Sequence, residues 1–114
     1  MLDPRQRHFA QLVEGSARAR SQAVLVDLAG TESQPTGAYA GYFEQAREAG
    51  LGLTCHAGET GSLEHLESAL AFGVARIGHG TLLGSEPRLL QQVRRRGICL
   101  EVSLSSNLAT GAVP

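Results

Sequence analysis

The amino-acid sequence predicts an α/β fold with about four parallel strands in sequential order and helices packed outside them. Two observations carry this. Short apolar, β-rich runs begin near residues 23, 51, 74 and 98, a spacing of about 23 to 28 residues that suits strand–helix units. The helical patterns between them stop at Gly50, Gly73 and Gly97, residues suited to the left-handed turn that ends a helix. Strand–helix–strand units of this kind build parallel sheets.

Taken in order, Asp3 followed by Pro4 predicts a helix start, and Phe9, Leu12 and Val13 recur at helical spacing. This helix fades near Gly15 to Arg20, with His8 a solvated side chain in its first turn. Ala23 to Leu28 is the first strand, interrupted by Asp27 and closed by Ala29-Gly30. Thr31 to Gly37 reads as a loop. Tyr39, Tyr42, Phe43 and Ala46 then mark one face of the second helix. Leu51, Leu53, Thr54 and Cys55 form the second strand, which ends on His56. Ser62 can cap a third helix whose core face is Leu63, Leu66, Ala69, Leu70 and Phe72, with Glu64, His65 and Glu67 on its solvated face. The third strand, Val74 to Gly78, ends on His79. Pro87 opens a fourth helix with Leu89, Leu90 and Val93 inward. Arg94, Arg95 and Arg96 crowd its last turn, where solvated cations suit the helix dipole. Ile98 to Val102 is the fourth strand; Ser103 to Asn107 follows it, and Gly111 to Pro114 trail off.

At 114 residues the chain reads as one domain, 1–114, able to bury a sizeable core. It is short of the roughly 250 residues of a complete eight-stranded α/β barrel. An apolar content of 42% and a net charge of −1 offer no basic excess for nucleic acid or an acidic membrane surface. All ten basic residues are arginines, which excludes Schiff-base and P-loop lysine chemistry. Cys55 and Cys99 lie in strand-like runs without CxxC spacing, so buried reduced thiols are expected. The polar N-terminus shows no signal peptide, and no apolar run approaches the ~20 residues of a membrane span. The expected location is the cytoplasm.

The chemistry sits at the strand ends. His56 closes the second strand, Glu59 follows three residues later past Gly58, and His79 closes the third strand. These groups gather at the C-terminal end of adjacent parallel strands, where α/β sheets bind ligands. Neutral imidazole is the commonest metal ligand, and a carboxyl in a partly dry loop can serve as a general acid. Gly58, Gly78 and Gly80 would leave room for a substrate to approach the backbone. Taken singly, each histidine could equally be a hydrogen-bonded structural residue, and Glu59 a loop-surface acid.

Four ordered stretches, Val26-Asp-Leu-Ala-Gly30, His56-Ala-Gly-Glu59, Arg76-Ile-Gly-His-Gly80 and Glu101 through Gly111, resemble the metal-dependent adenosine deaminase family, which includes adenine and AMP deaminases. The likeness runs from about residue 23 to the end. It implies a partial (β/α)8 barrel, its fourth to seventh strands, and a hydrolase that replaces a purine 6-amino group with oxygen using one zinc ion. By the resemblance, His56 matches a zinc ligand, and Glu59 matches the acid that protonates purine N1. His79 matches the residue that positions the attacking hydroxide, and Gly30 matches a backbone contact to the purine.

The family's His-x-His zinc-ligand pair and its paired aspartates do not occur in this sequence, whose only aspartates are Asp3 and Asp27. Ser103-Leu104 stands where the family commonly has Cys-Pro. The chain is therefore expected to be a fragment of such an enzyme, a truncated product or a separated subunit, inactive alone. It is also expected to self-associate through the apolar edge runs beginning at Ala23 and Ile98. Two other readings stay open: a non-catalytic α/β module that binds a partner or a purine, and an amidohydrolase-like reaction on another amine.

Overall fold

The computed structural model describes residues 4–19, 25–29, 36–60 and 62–114. Helix α1 (Pro4–Arg18) begins at its proline, and strand β1 is Leu25–Leu28. A 3-10 turn, Thr36–Tyr39, runs into α2 (Ala40–Glu48), and β2 is Gly52–Ala57. Helix α3 (Leu63–Phe72) precedes β3 (Arg76–His79). A second 3-10 turn, Thr81–Ser85, leads to α4 (Pro87–Arg96) and β4 (Cys99–Glu101). Helix α5 (Leu104–Ala109) occupies the stretch for which the sequence predicts no element. Asp3, the strand start at Ala23 and most of the loop from Thr31 lie outside the described residues.

The four strands form one sheet in the order β1-β2-β3-β4, every pair parallel. This is the predicted arrangement. Gly50, Gly73 and Gly97 end their helices with φ of 76°, 72° and 64°, a conformation open to glycine and costly to most other residues. Ser62 stands at the start of α3, but its side chain makes no capping hydrogen bond.

Paired residues in register share a face, and side chains alternate along each strand. One face presents Val26, Leu53, Cys55 and Ile77 to the helices, and these join Phe9, Val13, Phe43, Ala46, Leu66, Ala69 and Val93 in a single core. The opposite face carries Asp27, Thr54, His56, Arg76, Gly78, Cys99 and Glu101. A sheet whose uncovered face is this polar has its core on one side only.

All three phenylalanines and both tyrosines meet in one place. Phe43 is fully buried and stacks on Phe72 with centroids 4.6 Å apart, while Phe9 packs on Phe43, Tyr39 and Tyr42. This cluster joins α1, α2 and α3.

The packing corrects four expectations. Leu12 and Leu63 are exposed, at 48% and 40%, because the buried stripes of α1 and α3 run through Phe9 and Val13 and through Leu66, Ala69 and Leu70. His65 is buried rather than solvated: it shares a helical stripe with Ala69 and Phe72, four and seven residues on. Cys99 is exposed, since β4 is an outer strand and the residue falls on the polar face. Neither cysteine is in a disulfide. Arg96 is tied down, its guanidinium donating to the Leu70 carbonyl at 2.6 Å. Among the described residues no helix is long and apolar enough to cross a membrane.

Phe43→Ala should cost about 3–5 kcal/mol in urea unfolding, the range for deleting a buried aromatic ring, whereas exposed Arg88→Ala should stay within about 0.5 kcal/mol. A Phe43→Ala loss below about 1 kcal/mol would show that the aromatic cluster does not hold the helices.

Candidate active site

The register of β2 against β3 decides which side chains meet. His56 lies opposite Gly78, and Ala57 opposite His79. A Cβ built on Gly78 would come 2.7 Å from His56 Cδ2, so the missing side chain is the space the His56 ring occupies. The His56 and His79 rings then meet edge to face with centroids 5.1 Å apart.

Past Ala57 the chain turns at Gly58, φ 73°. The Gly58 carbonyl accepts the Leu82 N–H at 3.1 Å and the Thr81 hydroxyl at 2.5 Å, and the Gly80 N–H donates to the Ala57 carbonyl at 3.0 Å. The loops after β2 and β3 are thereby tied together. That tie brings a Glu59 carboxyl oxygen to 3.4 Å from His79 Nε2, with both side chains largely withdrawn from solvent at 14% and 7% exposure. A carboxyl and an imidazole in such sheltered contact can hold and pass a proton.

His79 has φ 67°, a left-handed conformation that costs a non-glycine residue on the order of 1–3 kcal/mol. Its Nδ1 lies 2.6 Å from Oδ1 of Asn107, which is 4% exposed. His56 Nε2 lies 3.2 Å from an Asp27 carboxyl oxygen. Burial pushes the Asp27 carboxyl above its ordinary value; His56 opposes this and Glu101 adds to it. Glu101 also faces Arg76, 3.4 Å away. The Thr110 hydroxyl is 3.4 Å from the other Glu59 oxygen.

Of the residues singled out in the sequence, the structure brings His56, Glu59 and His79 together at the C-terminal ends of β2 and β3. Gly30 lies outside the described residues. The reading of Gly58, Gly78 and Gly80 as open space for a substrate is corrected. Those spaces hold the Leu66 side chain, the His56 ring and the Leu83 and Leu100 side chains. Sequence reasoning missed Asp27 and Asn107 as contacts of the two histidines. The signals were an acid interrupting an apolar strand and the asparagine ending Ser105-Ser106-Asn107. Among the described residues no group of three or more His, Cys, Asp or Glu could hold a metal ion.

Parallel strands in sequential order, with polar groups at their C-terminal ends, are the arrangement of a segment of an α/β barrel. The adenosine deaminase family model matches residues 3–114, and the chain belongs to that family. It is 38% identical over 105 residues to an adenosine deaminase of Serratia proteamaculans, covering 90% of this chain and 32% of the relative. With the adenosine deaminase of Pectobacterium atrosepticum it shares 40% identity over 96 residues, 82% of this chain and 28% of that one. The chain thus spans about a third of the length of the curated relatives it matches.

Among solved structures, an adenine deaminase from Arthrobacter aurescens superposes with a TM-score of 0.85 at 25% identity, covering 97% of this chain and 35% of that one. An amidohydrolase from Burkhoderia ambifaria with bound Zn gives a TM-score of 0.82 at 25% identity, covering 96% and 31%. The fold is therefore part of a deaminase-type barrel.

Gly78→Ala should displace the His56 ring and cost on the order of 1–3 kcal/mol, as overpacking does. Urea unfolding together with His56 ring proton shifts measures both. An unshifted ring in a variant of wild-type stability would mean that Gly78 is not what seats it.

Proposed function

We propose that this chain carries the acid–base part of a purine deaminase site, which hydrolyses the 6-amino group of an adenosine-type nucleoside or base to the 6-oxo purine and ammonia. The observation that supports it is the sheltered Glu59–His79 contact at 3.4 Å, beside His56, in a chain of the adenosine deaminase family. In this reading Glu59 donates a proton to purine N1, making C6 electrophilic. His79 orients the attacking water and takes its proton as the oxygen bonds to C6. The C6–N bond then breaks, the amine leaves with that proton as ammonia, and the remaining C6 hydroxyl proton passes to Glu59, which restores the acid and leaves the 6-oxo purine. Gly30 supplies a backbone contact to the purine.

His56 is the proposed zinc ligand, and bound Zn in the Burkhoderia ambifaria neighbour favours a metal in the complete site. The residues described here do not fit the ion by themselves. His56 has one carboxylate beside it, Asp27, whereas a catalytic zinc keeps about three protein ligands. In the proposed enzyme the remaining ligands come from strands outside these 114 residues.

A second reading, a binding module without catalysis, is favoured by that same ligand shortage and by exposed Val102, Leu104 and Leu108, at 63%, 71% and 63%. The two readings part on reconstitution.

The 114-residue chain alone should hold well under one zinc by elemental analysis and yield no inosine from adenosine. Supplying strands that carry His-x-His and Asp-Asp, fused or in trans, should restore both. His56→Ala, Glu59→Gln or His79→Ala should each then remove most of the rate, about 10²–10⁴-fold for the acid–base pair. Stoichiometric zinc and turnover from the 114 residues alone would overturn this assignment of ligands, and no activity after reconstitution would favour the binding module.

The outer strands β1 and β4 and the exposed apolar side chains near them also predict self-association of the isolated chain. Sedimentation velocity at tens of micromolar, roughly where exposed apolar surface associates, should show dimers or larger species. A clean monomer there would remove the idea.

A further inference from the structure

We propose that Asn107 is a positioning residue that fixes His79 as the Nδ1–H tautomer and so leaves Nε2 as the basic nitrogen facing Glu59. The inference deepens the proposed function and rests on its reading of His79.

The geometry is specific. A carboxamide oxygen can only accept, so at 2.6 Å from Asn107 Oδ1 the His79 Nδ1 is the donor. A neutral imidazole carries one N–H, which leaves the lone pair on Nε2, 3.4 Å from the Glu59 carboxyl. In that state Nε2 can receive a proton from a water held in the site. The opposite tautomer would spend its N–H on Glu59 and leave no base on the reacting side. The second nitrogen of a histidine commonly sets the role of the first in this way.

Helix α5 supplies an independent reason. It has six residues, and its apolar side chains Leu104 and Leu108 point to solvent while Asn107 is buried at 4%. A short helix that turns leucine out and an amide in is not docked by apolar burial. Its polar inward residue needs a partner, because a buried amide without one costs about 1–3 kcal/mol. His79 is that partner. His79 takes its left-handed backbone at the last position of β3, where it makes this contact.

The test reads the tautomer directly and needs neither substrate nor metal. Long-range proton–nitrogen NMR on the uniformly nitrogen-15-labelled chain, in mildly alkaline buffer with metal chelated, identifies which ring nitrogen of neutral His79 carries the proton. His79→Gln supplies the assignment. Wild type should show Nδ1–H as the dominant form. Asn107→Leu, close in volume, should lower the Nδ1–H to Nε2–H ratio on the order of tenfold, the effect of losing one hydrogen bond of typical net strength. Asn107→Asp keeps an acceptor in place and should retain Nδ1–H, so it tests the proposal even if the leucine variant folds poorly. Dominant Nε2–H in wild type would mean that the amide NH2 donates to His79 instead, and would overturn the proposal. So would an unchanged ratio in a folded Asn107→Leu chain. Loss of deaminase activity after reconstitution with the tautomer intact would count against the enzyme reading and leave the positioning role standing.

Discussion

The parallel pairing of β2 with β3 is the constraint on which the site depends. Because His56 falls opposite Gly78, its ring has somewhere to lie; because Ala57 falls opposite His79, the second imidazole leaves the sheet one residue further on. A slip of one residue would turn each of these side chains to the other face. Register is held by burial: Leu53, Cys55 and Ile77 can reach the core on one face only. The apolar alternation of two short strands thus sets the polar groups at their ends to within a few ångströms. The loop contacts from Gly58 to Thr81 and Leu82 then carry Glu59 across to His79.

Strain enters at one place in this arrangement. His79 adopts a positive φ where glycine would be easier, and the surrounding contacts must offset a cost on the order of 1–3 kcal/mol. Its Nδ1 is held by Asn107, Glu59 lies 3.4 Å from its Nε2, and its ring meets that of His56 edge to face. Such a backbone conformation persists where surrounding contacts fix the residue, as these do. On the polar face, the raised carboxyl of Asp27 and the Arg76–Glu101 pair show charge held in a partly desolvated setting.

Much of this was legible in the sequence, for physical reasons. Strand–helix rhythm and glycine stops report local backbone preference, so four parallel strands and the helix ends at Gly50, Gly73 and Gly97 could be read directly. His56 and His79 close apolar runs, so their position at strand ends was also readable. Features that depend on tertiary neighbours were not. Cys99 looks like a core thiol until β4 proves to be an outer strand, and His65 looks solvated until its stripe proves to include Ala69 and Phe72. The glycines read as open space, yet they are filled by Leu66, His56, Leu83 and Leu100. Asn107 was hidden because its partner lies 28 residues away in a stretch with no apolar period. Asp27 was visible only as a break in pattern, with nothing to say that it touches His56.

The two halves of the chemistry differ in how far apart in the chain their parts lie. The proton handling proposed above rests on Glu59, His79 and Asn107, which the fold brings together from the end of β2, the end of β3 and α5. Holding a metal needs several ligands at once, and the described residues offer His56 with Asp27 beside it. One strand pair is sufficient for the first task because hydrogen bonds are pairwise. It is insufficient for the second because a catalytic zinc takes about three protein ligands, more than the described residues bring together. A segment spanning about a third of its relatives' length can therefore hold a carboxyl–imidazole contact without gathering a set of metal ligands. The order of dependence follows: the Glu59–His79 contact forms from pairwise neighbours alone, whereas the proposed metal site needs more ligands than the described residues gather.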